Sequence, residues 1–299
     1  KSQDPDRQRR DLDVSDAGLV QNVGDHDRRG VNYMRVSNPY RITEPAVISF
    51  SGGRTSAFML HKILEAHKGS LPEDVKVVFA NTGKEMPETL DFVQACSDNW
   101  GVDIVWLELA EMRRADNEKN FTKKYKVVDY RSASRDGQPF DILLDAMPAI
   151  PNAVGRYCTA ELKIRPMTQY LVDCGYETPV LTIVGIRGDE VRRAKKIQGT
   201  ISNGQEKHCP LYLDCVTASD VGEFWEKQNF DLSLPNNGGV TDWGNCDLCF
   251  LKGKSKRAAI IRERPHLADW WAAAERRKGQ QLRPDEPSYE QMRMIATDQ

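Results

Sequence analysis

The chain has 299 residues, of which 39% are hydrophobic and 29% charged, and its formal net charge is -2. That length suffices for one large α/β domain, or for a medium domain with an appendage, while the charge balance excludes the global basic excess that holds nucleic acid non-specifically. No apolar run approaches the roughly 20 residues of a membrane span and the N-terminus lacks a signal-peptide layout, so a soluble, cytoplasmic protein is expected.

Residues 1–33 are polar, rich in Asp and Arg, and without core periodicity; a disordered extension is expected there, with Met34 as a candidate natural start. Val47-Ile48-Ser49-Phe50 predicts a buried strand, Gly52-Gly53 a turn, and Ala57 to His67 a helix. Val75 to Ala80 predicts a second strand, ending at Asn81-Thr82-Gly83. Pro87 suits a first helical turn, and Leu90, Val93 and Cys96 form the stripe of a helix ending at Trp100. Ile104 to Leu107 predicts a third strand, and the charged stretch 110–138 reads as an insertion or lid. Pro166 opens a helix with Met167, Tyr170, Leu171 and Cys174 on one stripe; Gly175 closes it. Val180 to Ile186 predicts a fourth strand, running into Arg187-Gly188-Asp189-Glu190. Beyond Cys209 come short helices and Gly/Asn turns, then a Trp-rich helix from Pro265 with Leu267, Trp270, Trp271 and Ala274 on one face. Strands alternating with helices imply a parallel sheet covered on both faces, with ligands beyond the strand C-termini.

A Ser-Gly-Gly turn between strand and helix suits phosphate, because glycine admits positive φ, lets backbone N–H groups approach, and opens onto a helix N-terminus. Alone, such a turn is more often an ordinary one. Cys246-Asp-Leu-Cys249 places two thiols within reach of one metal, and Cys158 and Cys209 are the candidates for two further ligands. Four thiolates can hold a [4Fe-4S] cluster or a structural zinc, and unbridged thiols are the plainer alternative. Cys96 and Cys174 read as buried small hydrophobes. Lys252, Lys254, Lys256 and Arg257 beside the CxxC are either a nucleic-acid contact or a solvated surface.

Ser51-Gly-Gly-Arg-Thr-Ser56, Asn81-Thr-Gly-Lys-Glu-Met-Pro-Glu-Thr89, Arg156-Tyr-Cys-Thr-Ala-Glu-Leu-Lys163 before Pro166, and Gly185-Ile-Arg-Gly-Asp-Glu-Val-Arg-Arg193 occur in that order. Together they resemble the phosphoadenosine phosphosulfate reductase branch of the PP-loop ATP pyrophosphatases, over about residues 45–200. The resemblance implies an α/β parallel-sheet PP-loop domain, like the adenine nucleotide alpha hydrolases, over 34–205. A small, mainly helical region, 206–299, would carry the CxxC. It implies that Ser51, Gly52, Gly53, Thr55 and Ser56 hold phosphates, with Arg54 and Gly185 in the same lining and Asn81, Thr82 and Gly83 near the nucleotide. Lys163 and Arg187 are the expected catalytic cations, with Arg165, Arg192 and Arg193 in reserve.

Thr55 stands where many ATP-cleaving relatives carry an acid, which leaves Mg²⁺ dependence open; Asp189 or Glu190 might substitute. There is no C-terminal Glu-Cys-Gly-(Leu/Ile)-His segment, where true reductases carry their thiol nucleophile, so reduction of a sulfonucleotide is the second choice. The expected function is binding of ATP or a related adenine nucleotide and adenylation of an acceptor. The [4Fe-4S] cluster, preferred over zinc because sulfur-handling relatives place one there, would serve sulfur or electron transfer. The expected partner is nucleic acid or a sulfur-donor protein. A nucleotide-binding module without catalysis is the third reading.

Overall fold

The computed structural model describes residues 38–114 and 121–297; the extension expected over residues 1–33 lies outside them. Strand β1 (Ala46–Phe50) is central because both its faces are apolar: Ala46, Ile48 and Phe50 enter one core and Val47 another. The chain continues through α1 (Arg54–Ala66), β2 (Val75–Ala80), α2 (Pro87–Trp100), β3 (Ile104–Arg114), β4 (Phe121–Val128) and α3 (Gln138–Ala146). A turn of helix, α4 (Tyr157–Thr159), passes through the π-helical stretch Ala160–Ile164 into α5 (Arg165–Asp173). Then come β5 (Val180–Val184), α6 (Val191–Ile197), β6 (Ile201–Ser202), β7 (Gln205–His208), α7 (Pro210–Leu213) and α8 (Ala218–Trp225). The last helices are α9 (Lys254–Glu263), α10 (Ala268–Lys278) and α11 (Tyr289–Thr297).

Seven strands form one sheet in the order β4-β3-β2-β1-β5-β7-β6. The inner strands are parallel, and β4 and β6 run antiparallel along the edges. From β1 the chain moves outward through β2 and β3, then returns to place β5 on the other side of β1. The strand order therefore reverses between β1 and β5, where parallel sheets open a crevice at their C-terminal edge.

On one face, α5 covers Val47, Val78 and Leu107 with Met167 and Leu171. The larger core holds α1, α2 and α3 together with the C-terminal helices: Phe92 packs edge-on against Trp225 at 4.9 Å and Phe140 against Trp271 at 5.8 Å. Among the described residues no helix is long and apolar enough to cross a membrane.

Three expectations change. The stretch 110–138 contributes the upper half of β3 and an antiparallel edge strand, whose lysines hide the strand pattern because one side of an edge is free to be charged. The boundary expected after residue 205 falls inside β7, whose Gln-Glu-Lys-His sequence has no apolar alternation. Cys174 is exposed rather than buried, because α5 ends at it, beyond the apolar contacts of Met167 and Leu171.

On β7, burial pushes the Lys207 ammonium down to about 8. In the unfolded chain it titrates near the usual value of about 10.4, so the unfolded state binds more protons between about pH 8 and pH 10 and stability at this residue rises with pH there. Lys207→Met removes the penalty and is expected to be more stable than wild type near neutrality. Denaturant melts at about pH 7.5 and about pH 10 should show that advantage shrinking as the pH rises; a constant difference refutes the assignment.

A candidate nucleotide and thiol site

The loop between β1 and α1 is shaped from inside by Ser56. Its Oγ accepts from Ser51 N at 3.2 Å, Ser51 Oγ at 2.9 Å and Gly53 N at 3.3 Å, and donates to Gly53 O at 2.9 Å. Gly52 has φ +72, and a Cβ there would lie 2.7 Å from Thr89 Cγ2, so the turn accepts no side chain. The first-turn N–H groups of α1 have no partner within a helix and face the strand C-terminal edge, which is the polarity an anion needs. Ser51 is exposed and Thr55 partly so, at the rim of this cradle.

Arg54, expected among the phosphate ligands, turns the other way. It is 4% exposed, donates from Nε and Nη2 to the two Asp231 carboxylate oxygens at 2.7 Å each, and donates to Leu232 O and to Leu234 O, the latter at 2.9 Å. As the first residue of α1 it tethers the loop to residues 231–234. Arg54→Ala strands a partly exposed Asp231 and leaves two carbonyls without their donor, and is expected to cost about 2–3 kcal/mol. Urea unfolding checks this; a change below about 0.5 kcal/mol would refute the tether.

The exit of β5 backs onto the same loop: a Cβ on Gly185 would lie 3.2 Å from Ser56 Cα. Arg187 Nη1 donates to Thr55 Oγ1 at 3.3 Å, while its Nε donates to Asp189 Oδ1 at 2.9 Å and its backbone N to Glu190 Oε2 at 3.2 Å. Asp189 and Glu190, considered for Mg²⁺, thus hold Arg187 at the rim; they also accept from Ala218 N at 3.0 Å and Arg193 Nη1 at 2.9 Å. Of the reserve cations, Arg193 pairs with Glu190, Arg165 with Glu161 at 3.1 Å, and Arg192 is exposed.

The loop after β2 works differently from expectation. Asn81 is fully buried, donating to Glu108 Oε1 at 2.6 Å and Ser134 O at 2.8 Å while accepting from Gly83 N at 3.0 Å. Gly83 has φ +76 and packs against Ser134, Pro139 and Gly137. Thr82 Oγ1 donates to Glu85, 2.9 Å from Oε2, and lies 3.5 Å from Cys246 Sγ. These residues therefore brace the CxxC. Glu85 forms an isolated antiparallel bridge with Cys246, Asp247 N donates to Lys84 O at 2.6 Å, and the buried Lys84 ammonium meets Asp247 Oδ2 at 3.0 Å. Trp271 Nε1 adds a hydrogen bond to Asp247 Oδ1 at 2.6 Å.

Lys163 reaches the same place, 3.4 Å from Glu85 Oε1. Burial disfavours its ammonium, but Glu85 and the thiols of Cys246 and Cys249 outweigh that and hold its pKa above the ordinary lysine value. Burial likewise pushes the Cys246 and Cys158 thiols up, with Glu85 and Cys249 adding to the first and Cys249 to the second. Lys163 and Arg187 thus mark two neighbourhoods, the thiols and the phosphate loop.

Cys158, Cys246 and Cys249 converge, but Cys209 does not join them. It is fully buried at the end of β7 with Ile186 and Ala194, where burial pushes its thiol up to about 11 and Arg193, Lys207 and Glu190 are the charges it feels. The sheet carries β7 beyond β5, whereas the CxxC is pinned to the loop after β2. The four-cysteine set is therefore not assembled, and among the described residues no group of three or more His, Cys, Asp or Glu side chains is placed to hold a single metal ion. The donor chemistry does suit a sulfur-liganded cluster: three thiols on two segments, with Lys163 and Lys252 near enough to offset their charge.

The basic run beside the CxxC is mostly internal. Arg257 is fully buried against Glu286 and Tyr289, Lys252 donates to Asp242 O at 2.8 Å and to Gly244 O, and Lys256 pairs with Asp242. Its reading as a nucleic-acid contact is replaced by one that holds the CxxC loop. Glu85, Asp247 and Asp231 were not expected at the site. The first two lie inside the motifs themselves, and only Asp231 had no local signal.

The sequence profile of the phosphoadenosine phosphosulfate reductase domain matches residues 45–232. The chain belongs to that family. Among family-like sequences it is 30% identical over 221 residues to the uncharacterized nin region protein ORF290 of Escherichia phage lambda, covering 74% of this chain and 71% of the phage protein. It is 28% identical over 166 residues to the uncharacterized protein MJ0066 of Methanocaldococcus jannaschii, covering 55% of this chain but only 27% of that protein. The U34-tRNA thiolase NcsA of Methanococcus maripaludis, solved with its [4Fe-4S] cluster, aligns over 83% of this chain and 71% of its own, with a TM-score of 0.40 and 12% identity.

Proposed function

We propose that this member of the phosphoadenosine phosphosulfate reductase domain family binds ATP or a related adenine nucleotide at Ser51–Ser56 and adenylates an acceptor. An acceptor oxygen attacks the α-phosphorus, the bond to the β-phosphate oxygen breaks, and pyrophosphate leaves. The chain's part is positioning and charge neutralisation: backbone N–H groups of the loop, with Arg187 at its rim, bind the leaving pyrophosphate. Cys158, Cys246 and Cys249 would hold an iron-sulfur cluster, which when bound supplies electrons or a sulfur-accepting iron. Lys163 offsets the negative charge of that group.

The observation that carries this reading is the meeting of Cys158, in the third motif, with the distant CxxC around Lys163 and Glu85. The family's description favours a second reading, in which a sulfonucleotide such as phosphoadenosine phosphosulfate or adenosine phosphosulfate is reduced.

Protein purified without oxygen, incubated with ATP, Mg²⁺ and candidate acceptors, should release pyrophosphate, and Arg187→Ala should lower that rate by about a hundredfold. Sulfite released from a sulfonucleotide and a thiol reductant would replace adenylation with the second reading. Tight ATP binding without either product would leave a nucleotide-binding module.

A further inference from the structure

The π-helical stretch Ala160–Ile164 separates two environments. Lys163 leaves it toward Glu85 and the thiols, while Glu161 leaves it toward a cavity of about 670 Å³ between β4 and α5. Stretches of π-helix occur often at functional sites, because the extra residue re-aims the side chains around it. The volume lies within the range of small-molecule sites.

The cavity wall carries three cations, Lys123, Lys124 and Arg165, against one carboxylate, Glu161. Glu161 is shared, 2.8 Å from Lys123 Nζ and 3.1 Å from Arg165 Nη1. Lys124 points to Glu111 at 3.0 Å, an acid that also pairs with Arg113. Each carboxylate thus serves two cations, and the surplus is positive. Tyr125 and Gln169 add hydrogen-bonding groups to the wall, and Met147 and Pro166 an apolar strip. Positive surplus, polar donors and an apolar strip together suit a ligand with phosphate on one side and a sugar or base on the other.

The geometry points to this cavity as a second ligand site, apart from the phosphate loop, that seats a phosphate-bearing acceptor on the far side of the helix carrying Cys158 and Lys163. The role as acceptor rests on the adenylation reading; the binding of phosphate does not. The phosphate could belong to a free sugar phosphate or nucleotide, or to a polynucleotide backbone.

The test compares wild type with the double variant Lys124→Ala, Arg165→Ala. Both side chains are about half exposed or more, and Glu111 and Glu161 each keep another cation, so the fold is expected to survive. Ribose 5-phosphate is titrated by calorimetry and a short fluorescein-labelled single-stranded RNA by anisotropy, both with the phosphate loop saturated with a non-hydrolysable ATP analogue. The variant should bind at least one probe about tenfold or more weakly, with affinity for the ATP analogue unchanged. Loss confined to ribose 5-phosphate would assign a free metabolite. Loss confined to RNA, with a shallower salt dependence, would assign a polynucleotide.

Glu161→Gln, which removes the shared acid, should tighten the same probe. Failure of wild type to bind either probe, or equal binding by wild type and the double variant, overturns the site. Phosphate binding that is retained in protein releasing no pyrophosphate from ATP would overturn the adenylation reading and leave the site standing.

Discussion

Gly52→Ala is expected to remove measurable ATP binding and to destabilise the fold, whereas Gly53→Ala should be tolerated by the fold. The two neighbouring glycines differ in what their backbones require. Gly52 sits at φ +72, where a Cβ costs about 1–2 kcal/mol, and that Cβ would also meet Thr89 Cγ2 at 2.7 Å and Val93 Cγ2 at 3.1 Å, an overpacking worth about 1–3 kcal/mol more. Relief requires moving either the loop or α2, and the loop is the softer of the two because α2 is packed into the main core through Leu90, Phe92 and Val93. A displaced loop no longer holds the Ser56 hydroxyl against the amides of Ser51 and Gly53, so the cradle is lost with the turn. Gly53 is extended, φ -108 and ψ 158, and a Cβ there meets only Ser51 Oγ at 3.8 Å. Its substitution should lower Tm little and weaken ATP less. Calorimetric titration with ATP and a thermal melt read both quantities; a folded Gly52→Ala protein with wild-type ATP affinity would remove Ser51–Ser56 from the nucleotide site.

The contrast between these glycines also marks where sequence reading works and where it stops. The strands at Val47, Val75 and Val180 and the helices after Gly53, Pro87 and Pro166 are legible because each is short-range: a buried parallel strand is continuously apolar, and a helix announces its stripe and its first-turn proline. The edge strand β4 and the strand Gln205–His208 are not, since an edge needs apolar residues on one side at most and their neighbours supply the pairing. The phosphate loop is legible because strand, glycine turn and helix are consecutive. Arg54 shows the limit within it: its charge suggests phosphate, but its partner Asp231 lies 177 residues away, and nothing local says which way the side chain turns. Asn81 and Thr82 mislead for a related reason. Their motif position is shared with nucleotide-site residues, yet the hydrogen bonds that occupy them come from Glu108, Ser134 and Glu85.

Cysteine is the residue for which this limit has the largest chemical consequence, and it gives the second large effect. Cys158→Ala, Cys246→Ala and Cys249→Ala are each expected to strip most iron and acid-labile sulfide from protein purified without oxygen, while Cys209→Ala should retain both. Spacing alone ranked Cys209 with the others, because a cysteine before a proline in a loop looks available. In the folded chain its thiol is enclosed by Ile186 and Ala194 behind β5, so its loss removes one small apolar group at a cost of about 1 kcal/mol and touches no shared ligand. The other three answer to one another and to Lys163 and Lys252, so removing one leaves two thiolates to carry a multiply charged group, and retention should collapse rather than fall by a third. Iron, zinc and sulfide assays with a visible spectrum separate the outcomes. Stoichiometric zinc lost from the same three variants would exchange the cluster for a structural ion at the same thiols. Metal lost from Cys209→Ala in folded protein would mean that the chain closes around its cofactor in a different arrangement from the one described, with β7 drawn toward the CxxC.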